Sequence, residues 1–233
     1  MSWTERVRAA VQVEGQQLCR RWRALLLLTV LPLAFYFASS GHNPQAPVIG
    51  GIALAFSLAG AAIFASLAAR AVDHRLVLSG YRPIELLLAR LLVLEGYGTA
   101  VAIAFSAVMI AKSDPARPGL LITGVVLVGI VAVPFGLMLG ALLPSELEAV
   151  LVMIGAVGIQ LTVDQMARVA KLLPFWGPRQ LLEGALGTPI STAHAVETGL
   201  AYAAVLLAIT FALANRRLRI ASHARPTVQP PIA

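Results

Sequence analysis

Six long apolar runs, at residues 24–40, 48–69, 86–111, 120–143, 146–163 and 196–214, decide which solvent this chain can fold in. A helix needs roughly 20 predominantly apolar residues to cross the ~30 Å hydrocarbon core of a bilayer, and each run is close to that length. Across 233 residues, 58% are hydrophobic and only 12% are charged, with a mean hydropathy of +0.82. A water-soluble domain of this size cannot bury that much apolar surface in one core, so lipid must cover the rest. The expectation is an all-α membrane protein with six transmembrane helices. The single cysteine, Cys19, excludes an intramolecular disulfide and a cysteine metal cluster.

The fifth run is short if it begins at Ala149. Ser145-Glu146-Leu147-Glu148 follows the breaker Pro144 and has the pattern of a capping box, which starts the helix at Glu146. Orientation follows from the basic residues, because cytoplasmic flanks retain Lys and Arg. Thirteen of the 18 lie in segments assigned inside: Arg6, Arg8, Arg20, Arg21, Arg23, Arg70, Arg75, Arg82, Arg90, Arg216, Arg217, Arg219 and Arg225. The other five, Lys112, Arg117, Arg168, Lys171 and Arg179, fall outside. Both termini are therefore expected in the cytoplasm. The net charge of +7 is explained by topology, without nucleic acid as a partner. Only two of the basic residues are lysines, Lys112 and Lys171, and this Arg and Ala bias hints at a GC-rich bacterial genome; the expected location is a bacterial plasma membrane. Arg21-Trp22-Arg23 before an apolar run could also begin a signal peptide. The long preceding stretch with Glu5 and Glu14 reads as a helix, and the first span is expected to be retained.

The connecting segments carry their own patterns. Residues 1–23 open with the capping box Ser2-Trp3-Thr4-Glu5 and space Trp3, Val7, Val11, Leu18 and Trp22 as one face of a helix among arginines. That make-up fits an interfacial helix on membrane lipid; the alternative is a solvated leader. Residues 70–85 mix charge with Leu76, Val77 and Leu78 before the turn Ser79-Gly80, and are expected to present a short helix to the cytoplasm. Residues 164–195 are too long for a hairpin and too apolar for a solvated loop. They are expected to form a re-entrant segment in the outer leaflet before the last span. The basic tail, 215–233, is expected to be disordered beyond Arg219.

The phosphate-cradling Gly-x-x-x-x-Gly-Lys-Ser/Thr is missing, since both lysines follow alanine, and neither a Gly-x-Ser-x-Gly elbow nor a His-Glu-x-x-His helix is present. The four histidines are scattered, so no metal or catalytic residue is proposed from the pattern. Ionisable groups inside spans are functional suspects by default. Glu95 lies about ten residues into the third run, five beyond Arg90 and on a different helical face, so neither satisfies the other. Its roles are structural glue or a transport pathway, with Gln160 and Asp164, at i and i+4, as further pathway candidates. Gly136 and Gly140, in a Gly-x-x-x-Gly, and Gly155 and Gly158 are the helix-packing candidates.

In its order of parts the chain resembles the membrane subunit of a type-2 ATP-binding-cassette exporter. Asp73 through Leu92, with Arg82-Pro83-Ile84-Glu85-Leu86-Leu87-Leu88-Ala89-Arg90-Leu91-Leu92, is similar to that family's coupling segment and the opening of its third helix. The resemblance implies a permease of one six-helix subunit that pairs with a second, identical or homologous permease. It also implies two copies of a separate ATP-binding subunit, with ATP and magnesium held on that partner and no cofactor on this chain. By the same resemblance Asp73, Arg75, Arg82 and Glu85 form the coupling contact, the region 164–195 closes the outer end, and the substrate is a drug, an antibiotic or another amphipathic molecule. The sequence has Asp73-His74-Arg75-Leu76 where many members carry an Asp/Glu-x-Gly-Thr-like element. Two other classes compete. A proton-coupled secondary transporter would use Glu95, and an intramembrane enzyme would need Glu95, Asp164 and His194 to converge.

Overall fold

A computed structural model describes residues 2–41, 43–163 and 168–223. Among these, every regular element is helical. Helix α1, Trp3–Arg20, starts where its composition says it should: Ser2 accepts the Glu5 backbone N–H, and Glu5 Oε2 accepts the Ser2 N–H at 2.7 Å. The chain breaks at Arg21 (φ −95°, ψ 26°) and turns into α2, Trp22–Ser40. Helix α3, Ala46–Leu78, is 33 residues, about 50 Å long, and outreaches the ~30 Å bilayer core. From Ala61 to Leu78 it contains neither glycine nor proline, and it stops only at the Ser79-Gly80 turn, where Gly80 has φ 97°. Residues 70–78 are therefore the end of α3. This differs from the separate short helix expected for residues 70–85, because nothing in the sequence interrupts the helix after Ala69.

Helix α4, Pro83–Ser113, opens with proline in the first turn, whose missing N–H is no loss there. Helix α5, Pro118–Leu142, is followed by α6, Glu146–Thr162, whose first turn is capped by Ser145 accepting the Glu148 N–H at 3.3 Å. A 3-10 turn at Arg168–Leu172 leads to α7, Trp176–Ala185, and then α8, Thr192–His223. The last helix runs past Arg219, so residues 220–223 continue α8 where the tail was expected to be irregular.

Contacts between helix ends show that α2 to α6 and α8 alternate in direction. At the end far from α1, the Tyr36 and Ser113 hydroxyls are hydrogen-bonded, joining the ends of α2 and α4. There too the Arg117 N–H donates to the Ala185 carbonyl at 3.1 Å. Five of these helices, α2, α3, α4, α5 and α8, are long and apolar enough to cross a membrane. Helix α6, with 17 residues, spans about 25 Å.

The bundle is organised around α3 and α5. In each, 72% of the most apolar stretch is buried, against 11% in α2, 28% in α4 and 22% in α8. The outer helices turn Leu27, Phe35, Leu92, Ile103 and Val205 outward, a surface that only an apolar solvent covers favourably. Two glycines set the α3–α5 crossing. A Cβ on Gly136 would overlap the Ala59 carbonyl oxygen, and one on Gly140 would lie 2.7 Å from Ser66 Cβ. Gly155 and Gly158 face outward, and a Cβ added at either would meet nothing within 4 Å, so they do no packing against the described residues of this chain.

Candidate functional site

The densest polar construction lies where α1 docks on the adjoining ends of α3 and α4. Ala10 is buried beside Leu86 and Ala89, with Val11, Leu76, Val77 and Tyr81 around them. Thus one face of α1 packs on protein, while Trp3 and Val13 on the same helix are exposed. The apolar spacing that predicts an interfacial helix is divided between these two surroundings.

Ion pairs fasten the same contact. Arg6 Nε donates to Glu85 Oε1 at 3.0 Å, and Glu85 Oε2 accepts the Arg82 backbone N–H at 2.9 Å. The Glu85 side chain is fully buried, and both its oxygens are engaged. Eight residues along α1, Glu14 Oε1 accepts from Arg90 Nη2 at 2.9 Å and from Arg90 Nε at 3.2 Å. The same Nη2 reaches Asp73 Oδ1 at 2.9 Å. Arg90 is therefore the hub of a three-helix cluster, with α1, α3 and α4 each supplying one member. Arg90 is the most buried member, and its loss would strand two acids at once, whereas release of one acid leaves the guanidinium paired with the other.

The four residues expected to form a coupling contact separate into two pairs. Asp73 and Glu85 turn inward and hold α1, whereas Arg75 and Arg82 are exposed at the α3–α4 tip. Of the pathway candidates, Glu95 is half-buried on α4 and makes no hydrogen bond or ion pair among the described residues. Gln160 is buried on α6, its Oε1 without a hydrogen-bond partner among the described residues. Asp164 lies outside the described residues, so its expected pairing with Gln160 on one face has no structural counterpart here. His194 stacks edge-on against Trp176, 5.5 Å between ring centroids, at the far end of the bundle from the Arg90 cluster. Of the three residues an intramembrane enzyme would need, Asp164 lies outside the described residues, and Glu95 and His194 share no hydrogen bond or ion pair. No group of three His, Cys, Asp or Glu among these residues could hold a metal ion.

Two arginines counted by charge alone have specific structural work. Arg70 of α3 donates to the carbonyls of Gly140, Leu143 and Pro144, closing the C-terminus of α5. Arg179 of α7 donates to the carbonyls of Gln160 and Val163 at the C-terminus of α6, and pairs with Glu183 at 3.2 Å. The last carbonyls of a helix lack intrahelical donors, and a cation there also meets the negative end of the helix dipole. A third missed contact is the Tyr97 hydroxyl, which bonds Thr29 Oγ1 at 2.8 Å and ties α4 to α2. No local signal announces such pairings, whose partners are separated by up to 79 residues.

An open cavity of about 350 Å³ lies beside the Arg90 cluster, between the α1–α2 corner, α3, α4 and the first turn of α6. The short helix α7, in the region 164–195, buries Trp176, Leu181 and Leu182 against the rest of the fold at the opposite end. No family model matches this chain, and no curated protein matches it.

Proposed function

We infer that this chain is the membrane-spanning permease subunit of an ATP-driven exporter, in which α2 to α6 and α8 make six crossings and α1 lies in the cytoplasm. The carrying observation is the Arg90 cluster. A membrane protein with no nucleotide loop of its own has its amphipathic helix bolted, through Glu14, Asp73 and Glu85, to the ends of two long helices. A push on the exposed Arg75–Arg82 tip or on α1 would pass as a rigid displacement into α3 and α4, because buried ion pairs and packed helices do not deform gradually. In this reading Arg75 and Arg82 meet a separate ATP-binding subunit, which carries ATP and magnesium, and Asp73 and Glu85 transmit its movement. A second permease subunit pairs with the first, and α7 lies in the outer leaflet. The substrate is amphipathic, with drugs and antibiotics the leading class, and the membrane is a bacterial plasma membrane.

The test is purification in mild detergent followed by reconstitution. An ATPase should accompany the chain, and the complex should hydrolyse ATP in lipid. Reversing the charge of the tip in Arg75→Glu/Arg82→Glu should separate the two while leaving the permease folded. A second reading, proton-coupled transport, draws on the Glu95 carboxylate, which lies within an apolar helix and has no partner among the described residues. It requires transport driven by a proton gradient without any ATPase, and loss of that transport in Glu95→Gln.

A further inference from the structure

We propose that the cavity beside the Arg90 cluster is a binding site for the protonated amine of an amphiphile, which it takes from the leaflet on the α1 side. Two of its properties select that chemistry. Its rim carries Glu14, Arg21 and Glu146, while its wall is apolar, with Leu28, Phe64 and Leu94. Arg21 and Leu28 are seven residues apart at the start of α2, so rim and wall are separated by about 10 Å along the helix. A ligand that fits must therefore be polar at one end and apolar at the other. The volume, about 350 Å³, lies in the range of small-molecule sites.

The charges that remain open at the rim decide the sign of the headgroup. Arg90, which also lines the cavity, is spent on Glu14 and Asp73. Glu14 accepts both Arg90 bonds at Oε1, which leaves Oε2 without a partner among the described residues. Glu146 is exposed and makes no side-chain hydrogen bond or ion pair among them, and the same holds for Arg21. Two carboxylates with unused acceptors thus face one free guanidinium. Glu14 of α1 and Glu146 of α6 line the same cavity, so an ammonium group entering it finds a carboxylate acceptor on each, and Arg21 is left to meet a phosphate where the amphiphile has one. Two sources share this chemistry: an aminophospholipid headgroup and a free amphiphilic amine. The second would deepen the exporter reading by naming its cargo, and only that extension rests on the reading.

The full chain, reconstituted in nanodiscs of phosphatidylglycerol, is photolabelled with a twelve-carbon alkylamine carrying a diazirine at its chain end. The matching alcohol is the control, and labelled peptides are mapped by mass spectrometry. The amine should label the peptides containing Leu28 and Phe64 about tenfold more strongly than the alcohol does, the discrimination expected of a charge-assisted hydrogen bond. Glu146→Gln should reduce that labelling several-fold, and Glu14→Gln should reduce it as well. Because the Glu146 side chain bonds nothing among the described residues, its variant reads the site without loosening α1. Equal labelling by the alcohol, or labelling unchanged in both variants, overturns the proposal. Suppression by added phosphatidylethanolamine identifies the lipid headgroup as the occupant, whereas labelling that persists identifies the free amine. No ATPase is present in the assay, so amine labelling by a chain that never co-purifies with one would keep the site and reject the permease.

Discussion

Single residues in this protein act mainly by satisfying groups on other helices. Arg70 is the clearest case, since its guanidinium supplies donors to three carbonyls at the end of α5. Arg70→Ala should lower stability in detergent by about 2 kcal/mol, the scale of a lost charged hydrogen bond to groups that retain partial access to water. A thermal or denaturant melt of the purified protein would measure it. Gly136 tests packing instead of polarity. Gly136→Val must separate α3 from α5 and should cost about 3 kcal/mol. Gly155→Ala, on the outward face of α6, should cost nothing and raise stability in the same melt by up to about 1 kcal/mol, since the added Cβ meets no neighbour among the described residues and alanine is the better helix former. Gly136 with Gly140 and Gly155 with Gly158 are both pairs of glycines about one helical turn apart. Only the neighbour opposite each one distinguishes them.

At the scale of elements, α1 is a helix whose attachment is concentrated in two ion-paired positions and one small apolar contact. The expected result of Arg90→Ala is that Glu14 and Asp73 lose their shared cation and α1 detaches, costing about 3 kcal/mol for a pair at the margin of burial. Hydrogen–deuterium exchange should then rise across Trp3–Arg20 while α3 and α5 keep their protection. Uniform deprotection of the bundle would mean that α1 is integral to the core. The length of α3 is a second element-scale result. The charges Arg70, Asp73, His74 and Arg75 suggest a loop, yet charged residues sit comfortably in a helix that has left the hydrocarbon, and no glycine or proline stops it before Ser79-Gly80.

For the whole molecule, the alternating helices place α1 and the last turns of α8 at one end and α7 at the other. The native Cys19, exposed at the α1 end, is a ready-made reporter. A membrane-impermeant maleimide should label Cys19 in inverted vesicles and fail to label it in intact cells. Thr188→Cys, introduced with Cys19→Ser, should give the opposite result. Labelling of both sites from one side would remove α6 as a crossing, because four spans instead of five would then separate the two positions. The exposed apolar faces of α2, α4 and α8 set the medium for every one of these measurements. Lipid or detergent must cover them.

Much of this architecture can be read along the chain, since helix length, apolar runs and caps are local properties. The Ser2 and Ser145 caps, the proline that opens α4 and the Ser79-Gly80 turn all lie within a few residues of what they control. The sequence by itself thus determined that the chain is helical and apolar enough for a membrane, and roughly where most of its helices begin and end. Which charges meet is a different matter. Arg6 with Glu85, Glu14 with Arg90 and Asp73, and Arg70 with the end of α5 depend on how the helices cross, as does the cavity those crossings leave open. Periodicity tells a helix which face to bury. Only the packed structure tells each buried charge which distant partner makes its burial affordable.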